Sequence, residues 1–188
     1  MARKLREWYP HTCYHITSRG NRRSDIFKEE ADFDAYLKIV SLALAGFEEK
    51  SPYELICYCL MDNHVHLLIQ TSTQPLGPLM KKINMNYAIY FNKKYNYVGY
   101  LHQDRFHADR VQDSSHLLTV SRYIHLNPVA ANMVDLPEEY RYSSYRSFIA
   151  METCDLVSKE RVLSHFAKDC ASKLYQEFVE SKIQKGKG

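Results

Sequence analysis

The chain has 188 residues, enough for one domain or one domain with a tail, and its 45% hydrophobic content is enough for a packed core. The apolar run from Ile39 to Phe47 is far too short to span a bilayer, and the charged N-terminus lacks an apolar signal core, so a cytoplasmic protein with no membrane partner is expected. Net charge is only +3 but uneven: residues 1–28 carry seven Lys/Arg against two Asp/Glu, residues 29–55 two against seven, and residues 76–110 six against two.

Basic blocks separated by an acidic one suggest a surface with a positive side, suited to a polyanion. Ordinary helix-surface charge gives the same counts. Five cysteines, without a C-x-x-C pair, fit reduced thiols. The 15 tyrosines can stack on unpaired bases or sit half-buried in a core.

In chain order, residues 1–11 form a basic lead-in with Trp8 and Tyr9. Residues 12–18 alternate and predict a first strand, broken by the basic loop Arg19-Gly20-Asn21-Arg22-Arg23-Ser24. Phe33, Tyr36, Leu37, Val40 and Leu44 recur at helical spacing and predict a helix over 29–50, stopped by Ser51-Pro52. Residues 53–71 read as a β-hairpin turning at Asp62-Asn63. A second helix spans about 77–95, and a loop over 98–106 leads to a short strand near 106–112. A third helix starts near Ser114-Ser115 and runs to about Asn127 or slightly beyond, with Pro128 expected to kink or end it. The order strand–helix–strand–strand–helix–strand predicts an α+β fold with a ferredoxin-like βαββαβ core, an antiparallel sheet and extra helices after it. The tail over 140–188 should end in helices with a frayed Lys/Gly-rich terminus.

The chemistry concentrates in the hairpin. Side chains alternate across a strand, so His64, His66, Leu68 and Gln70 share one face. Two imidazoles two residues apart on a rigid strand can converge on one cation or one phosphate; taken alone, the pair reads equally as two half-exposed strand histidines. On the third helix, Leu117, Val120 and Ile124 form the core stripe, while His116, Thr119, Tyr123 and Asn127 lie on another face. Should that helix pack near the hairpin, two neutral imidazoles and the Asn127 amide oxygen would form half an octahedral shell for Mg²⁺ or Mn²⁺. A tyrosine is a weak nucleophile at its free pKa of about 10 and needs such help.

Five segments together resemble a known family: Tyr14 to Asn21, Met61 to Leu68 with its His64-Val65-His66, Gln103 to Phe106, Tyr123 to Val129, and Tyr142 to Tyr145. They occur in the order found in the REP-associated tyrosine transposases, a branch of the HUH single-tyrosine transposases of small insertion sequences, and cover roughly residues 9–150. The resemblance implies a ferredoxin-like core and a single-tyrosine nuclease domain over 1–150, with 151–188 a helical tail packed on or beside it. It implies His64 and His66 as ligands of Mg²⁺ or Mn²⁺, with Asn127 completing the shell. Tyr123 would attack single-stranded DNA, leaving a 5′-phosphotyrosine and a free 3′-hydroxyl. The implied partner is hairpin-forming DNA, met by Arg19, Asn21, Arg22, Arg23, Gln103 and Arg105. Relatives act as monomers or as homodimers that share sites.

The chain departs from the family pattern at Asp62, at His102 and over Ala130-Ala131-Asn132-Met133. The last stands where relatives have Arg-Ala-Gly-Leu after Asn-Pro-Val and lacks that basic residue, which bears on DNA affinity or target choice. Three other readings stand beside this one. Cys57 and Cys59 precede the histidines and would suit zinc if the hairpin turn has two residues, which places Cys59 opposite His66. His15-Ile16-Thr17 is one H-x-T tripeptide of a two-histidine phosphoesterase, but no second copy exists. A DNA-binding regulator of the same fold that no longer cuts is the third.

Overall fold

The structure, a computed structural model, describes residues 7–46 and 51–183. Four strands, β1 (Cys13–Arg19), β2 (Tyr53–Met61), β3 (His64–Thr71) and β4 (His107–Arg110), form one sheet in the order β2-β3-β1-β4. Every neighbouring pair is antiparallel. Helix α1 (Glu30–Ala45) joins β1 to β2, α2 (Leu76–Tyr95) joins β3 to β4, and α3 (Ser114–Ala130) follows β4. This is the α+β, ferredoxin-like βαββαβ arrangement that the element order predicts.

Alternation along β1 decides what each face carries. Tyr14, Ile16 and Ser18 are buried. The amide nitrogen of Asn84 in α2 donates to Ser18 Oγ (3.2 Å), so α2 covers that face. His15 and Thr17 therefore point to the opposite face, where α3 lies. Helices α1 and α2 are tied by the buried carboxylate of Asp32. It accepts from the backbone N–H groups of Lys28 and Glu29, the hydroxyls of Tyr90 and Tyr95, and the Lys94 ammonium.

The β2–β3 turn has two residues, with Met61 paired to His64. It is held from outside: Ile26 and Phe27 donate to the Asp62 carbonyl, and Gly20 donates to that of Asn63. A Cβ at Gly20 would fall 2.1 Å from the Ser24 carbonyl oxygen, so only glycine lets this loop close over the turn.

After α3, the chain covers the outer edge of β2. Leu60 donates to the Tyr142 carbonyl and Ser144 to that of Tyr58, which removes an open strand edge. Three short helices follow: α4 (Tyr145–Phe148), α5 (Glu160–Leu163) and α6 (Ala171–Glu180). Tyr175 of α6 is buried against α3, where its hydroxyl meets His125 Nδ1 at 2.8 Å.

Boundaries moved in several places. The first helix is observed to Ala45, and its expected end over 47–50 lies outside the described residues, as do positions 1–6 of the lead-in and 184–188 of the terminus. The fourth strand is only His107–Arg110. Pro128 does not end α3, which continues to Ala130. A proline removes only its own N–H, and the next bond, from Ala131 to the Asn127 carbonyl, is made at 2.9 Å. Among the described residues no helix is long and apolar enough to cross a membrane.

Candidate active site

The sheet's register places the histidines. His66 pairs with Thr17 and His15 with Leu68, so His66 and His15 sit on the same face, one step apart on adjacent strands. Their rings stack at 5.1 Å with 20° between planes, and His15 Nε2 lies 2.9 Å from His66 Nδ1. His64 meets His66 edge-on at 4.8 Å. Its Nδ1 is 2.6 Å from Asn63 Oδ1. An amide oxygen only accepts, so that nitrogen carries the proton and His64 Nε2 keeps a lone pair. His66 is 4% exposed, and its Nε2 is buried with no partner.

Both imidazoles are neutral near pH 7. Burial, then the Arg19 guanidinium, pulls His64 down to about 4. Burial pulls His66 down to about 2, with the neighbouring His64, His15 and Arg19 adding to the shift. His15 is also lowered, by burial first, against the opposing pull of Asp109.

Helix α3 carries Tyr123 onto this face. Its core stripe of Leu117, Val120 and Ile124 is buried, which leaves Tyr123 half-exposed over the sheet. The phenol ring lies 5.6 Å from His66 and 5.7 Å from His15, edge-on to both. Asn127, one turn on, uses its amide nitrogen to donate to the Tyr123 carbonyl at 2.8 Å. That leaves Oδ1 as the atom able to serve a cation.

A cleft of about 460 Å³ opens beside these rings, lined by His15, Thr17, Arg19, His66, Gln103, Asp104, Arg105, His107, Asp109 and Tyr123. Arg19, Gln103 and Arg105 thus share a cleft with the tyrosine. Asn21 does not line it: its backbone N–H bonds to Leu101 and it borders a separate groove under α2, which also touches Gln103 and Arg105. Arg22 and Arg23 stand exposed in the one-turn helix Asn21–Arg23, both with positive φ, away from the cleft.

Sequence reasoning weighed His15 only within an H-x-T tripeptide and missed His107 and Asp109. His15 was legible as a strand residue, but only the β3–β1 pairing tells which histidine it meets. His107 and Asp109, 2.9 Å apart, come from the short edge strand and carry no sequence signal.

The buried cysteines do not suit a zinc site. Cys59 does lie across from His66, as a two-residue turn requires. Burial, however, pushes the Cys57 and Cys59 thiols far above their ordinary pKa, and Cys59 Sγ sits against Met61 Sδ at 3.7 Å. Among the described residues no three His, Cys, Asp or Glu side chains cluster as a metal site. His64 and His66 leave two imidazole Nε2 atoms as neutral donors, and neither His64 nor Asn127 lines the cleft.

The family pattern described as "Transposase IS200 like" matches residues 9–127, more than half of the chain. This chain belongs to the IS200-like transposase family. A protein of Haemophilus influenzae, provisionally described as a REP-associated tyrosine transposase, is 27% identical over 121 residues, 55% of this chain. The match spans 65% of that relative's length. Among solved structures, that of a REP-associated tyrosine transposase bound to a REP hairpin is similar with a TM-score of 0.63 at 15% identity. It covers 84% of this chain and 94% of the other, so the two share a fold. In this IS200-like transposase the matched region ends at Asn127 and holds every ring of the cleft described above.

Proposed function

We propose that this protein is a metal-dependent single-stranded DNA endonuclease and strand transferase, with Tyr123 as nucleophile. The observation that carries the reading is the approach of the Tyr123 ring to within 5.6 Å of the His66 ring, whose Nε2 is buried and unpartnered.

In this reading the phenol oxygen of Tyr123 attacks a phosphorus of the strand after losing its proton. The bond from phosphorus to the 3′-oxygen breaks, and that oxygen leaves as a hydroxyl once protonated. The 5′-phosphate stays on Tyr123 as a phosphotyrosine, and a 3′-hydroxyl reverses the step to join strands. His64, His66 and Asn127 would hold a divalent cation, which when bound would polarise the phosphate. Arg19 and Arg105, flanking the cleft, hold the strand's phosphates, and Gln103 orients it. Asn21, Arg22 and Arg23 meet the DNA outside the cleft.

The substrate is hairpin or palindromic DNA with a single-stranded flank. The solved relative of the same fold is bound to a REP hairpin, which supports that choice. One chain supplies both histidines and the tyrosine, so a monomer suffices, though a homodimer would not disturb the site. The nuclease domain is taken as 1–150 with 151–188 as its tail, acting in the cytoplasm where DNA is met.

The test is direct. Protein, Mn²⁺ or Mg²⁺ and a labelled hairpin oligonucleotide with single-stranded flanks should give an adduct that survives denaturant and is absent from Tyr123→Phe. Tight binding of oligonucleotides from the gene's own flanks with no adduct would mean a DNA-binding regulator instead.

A further inference from the structure

His15 stands in none of the roles above, yet it is the closest polar neighbour of His66. A neutral imidazole carries one proton on either of two nitrogens. For His66 to bind a cation through Nε2, its proton must sit on Nδ1. In water the other tautomer is the commoner one, so something in the protein has to hold the proton there.

His64 solves the same problem with its own neighbour. The Asn63 carbonyl oxygen, 2.6 Å away, accepts from His64 Nδ1. His66 has no such neighbour in sequence, because Val65 and Leu67 point to the other face. What it has is His15 Nε2, 2.9 Å from its Nδ1, on a strand paired to its own.

We infer that His15 is a positioning residue that accepts the Nδ1–H of His66 and so leaves the His66 Nε2 lone pair for the cation. The inference rests on the nuclease reading for its purpose, and on geometry for its substance. The nitrogens lie 2.9 Å apart with only 20° between the ring planes, a geometry in which the N–H of one imidazole can meet the lone pair of the other. His66 is almost wholly buried, so a Nδ1–H without His15 would be a buried donor with no acceptor, a costly state. Without His15 no neighbour would hold the proton on Nδ1, and the commoner tautomer would place it on Nε2, the atom a ligand must leave bare. On this inference His15 is not itself a third ligand through Nε2, since that lone pair is used by His66.

The bland reading is a packing contact between two strand histidines. It makes no demand on the tautomer, and this is where the two differ. The first measurement uses metal-free protein labelled with ¹⁵N at histidine, near pH 7.5, and long-range ¹H–¹⁵N correlation. His66 is expected to be protonated at Nδ1 and bare at Nε2; a protonated Nε2 overturns the inference. His15→Leu is expected to move the proton to Nε2. His15→Gln, whose carbonyl oxygen also accepts, is expected to restore the wild-type tautomer.

The second measurement is Mn²⁺ affinity by electron paramagnetic resonance. His15→Leu should bind about 10–100-fold more weakly, with His15→Gln close to wild type. Equal affinity in His15→Leu and wild type overturns the role. If His15→Leu does not fold, the wild-type spectrum and His15→Gln still decide. Wild-type protein that takes up no Mn²⁺ sinks the nuclease reading, and the purpose of His15 with it, even when the tautomer is as expected; the spectrum and the titration thus separate the two failures.

Discussion

The phenol of Tyr123 and the imidazole of His66 meet edge to face at 5.6 Å, one carried by α3 and the other by β3. Tyr123 is 52% exposed while His66 is 4% exposed, so the proposed nucleophile faces solvent and the proposed ligand does not. A strand of DNA can reach the first without disturbing the second.

That asymmetry makes Tyr123→Phe a clean variant. Removing a half-exposed hydroxyl should change stability by no more than about 0.5 kcal/mol. Covalent adduct formation should vanish while hairpin binding persists. Gel analysis under denaturing conditions, with anisotropy for binding, reads both; an adduct in the variant would reassign the nucleophile.

Chelation should act in the same selective way. Excess EDTA is expected to stop cleavage and leave most of the binding, and added Mg²⁺ or Mn²⁺ should restore cleavage. His64→Ala and His66→Ala should each resist that rescue. Cleavage that continues in EDTA would remove the cation from the scheme.

Arg19 and Arg105 flank the cleft from two different segments. Each should contribute a phosphate contact. Arg19→Ala and Arg105→Ala should weaken binding to all sequences alike, and each should lower the slope of log affinity against log salt by about 0.7. Anisotropy titrations at several salt concentrations measure this. An unchanged slope would place those side chains off the DNA path.

The tail is tied to the nucleophile helix through His125, whose ring nitrogens meet the Tyr175 hydroxyl at 2.8 Å and the Ser144 hydroxyl at 2.9 Å. All three residues are buried. Tyr175→Phe leaves a buried imidazole nitrogen without its partner, at a cost of about 1–3 kcal/mol. Thermal unfolding should shift down by roughly 2–4 °C per kcal/mol. No shift would mean the contact is dispensable.

Asp32 gives a pH signature. Burial alone would raise its pKa, but hydrogen bonds from Lys94, the Lys28 amide, Tyr95 and Tyr90 outweigh it and hold the carboxyl below its ordinary value. A lowered folded pKa means the carboxylate stabilises the fold above the unfolded value near 3.8, and that this stability is lost as pH falls through the folded value. Asp32→Asn should therefore be less stable than wild type at pH 7, by roughly 2–3 kcal/mol, and the gap should close in acid. Denaturant midpoints across pH 2–7 would show it; a gap independent of pH would contradict the ionic role.

The order of elements was legible because each is set by local pattern: period two in 53–71, helical period in 77–95 and 114–127, and turn residues between them. The His-x-His pair, Tyr123 and Asn127 could be named for the same reason, since spacing on one strand or one helix fixes a shared face. The pairing of β1 with β3 was beyond that reach, because a strand's sequence does not say which neighbour its hydrogen bonds will find. That pairing brings His15 to His66, and the further pairing of β1 with β4 sets His107 and Asp109 beside the cleft. The acceptor inferred for His66 is likewise a tertiary matter, because His15 comes from another strand, whereas His64 meets Asn63 beside it in sequence.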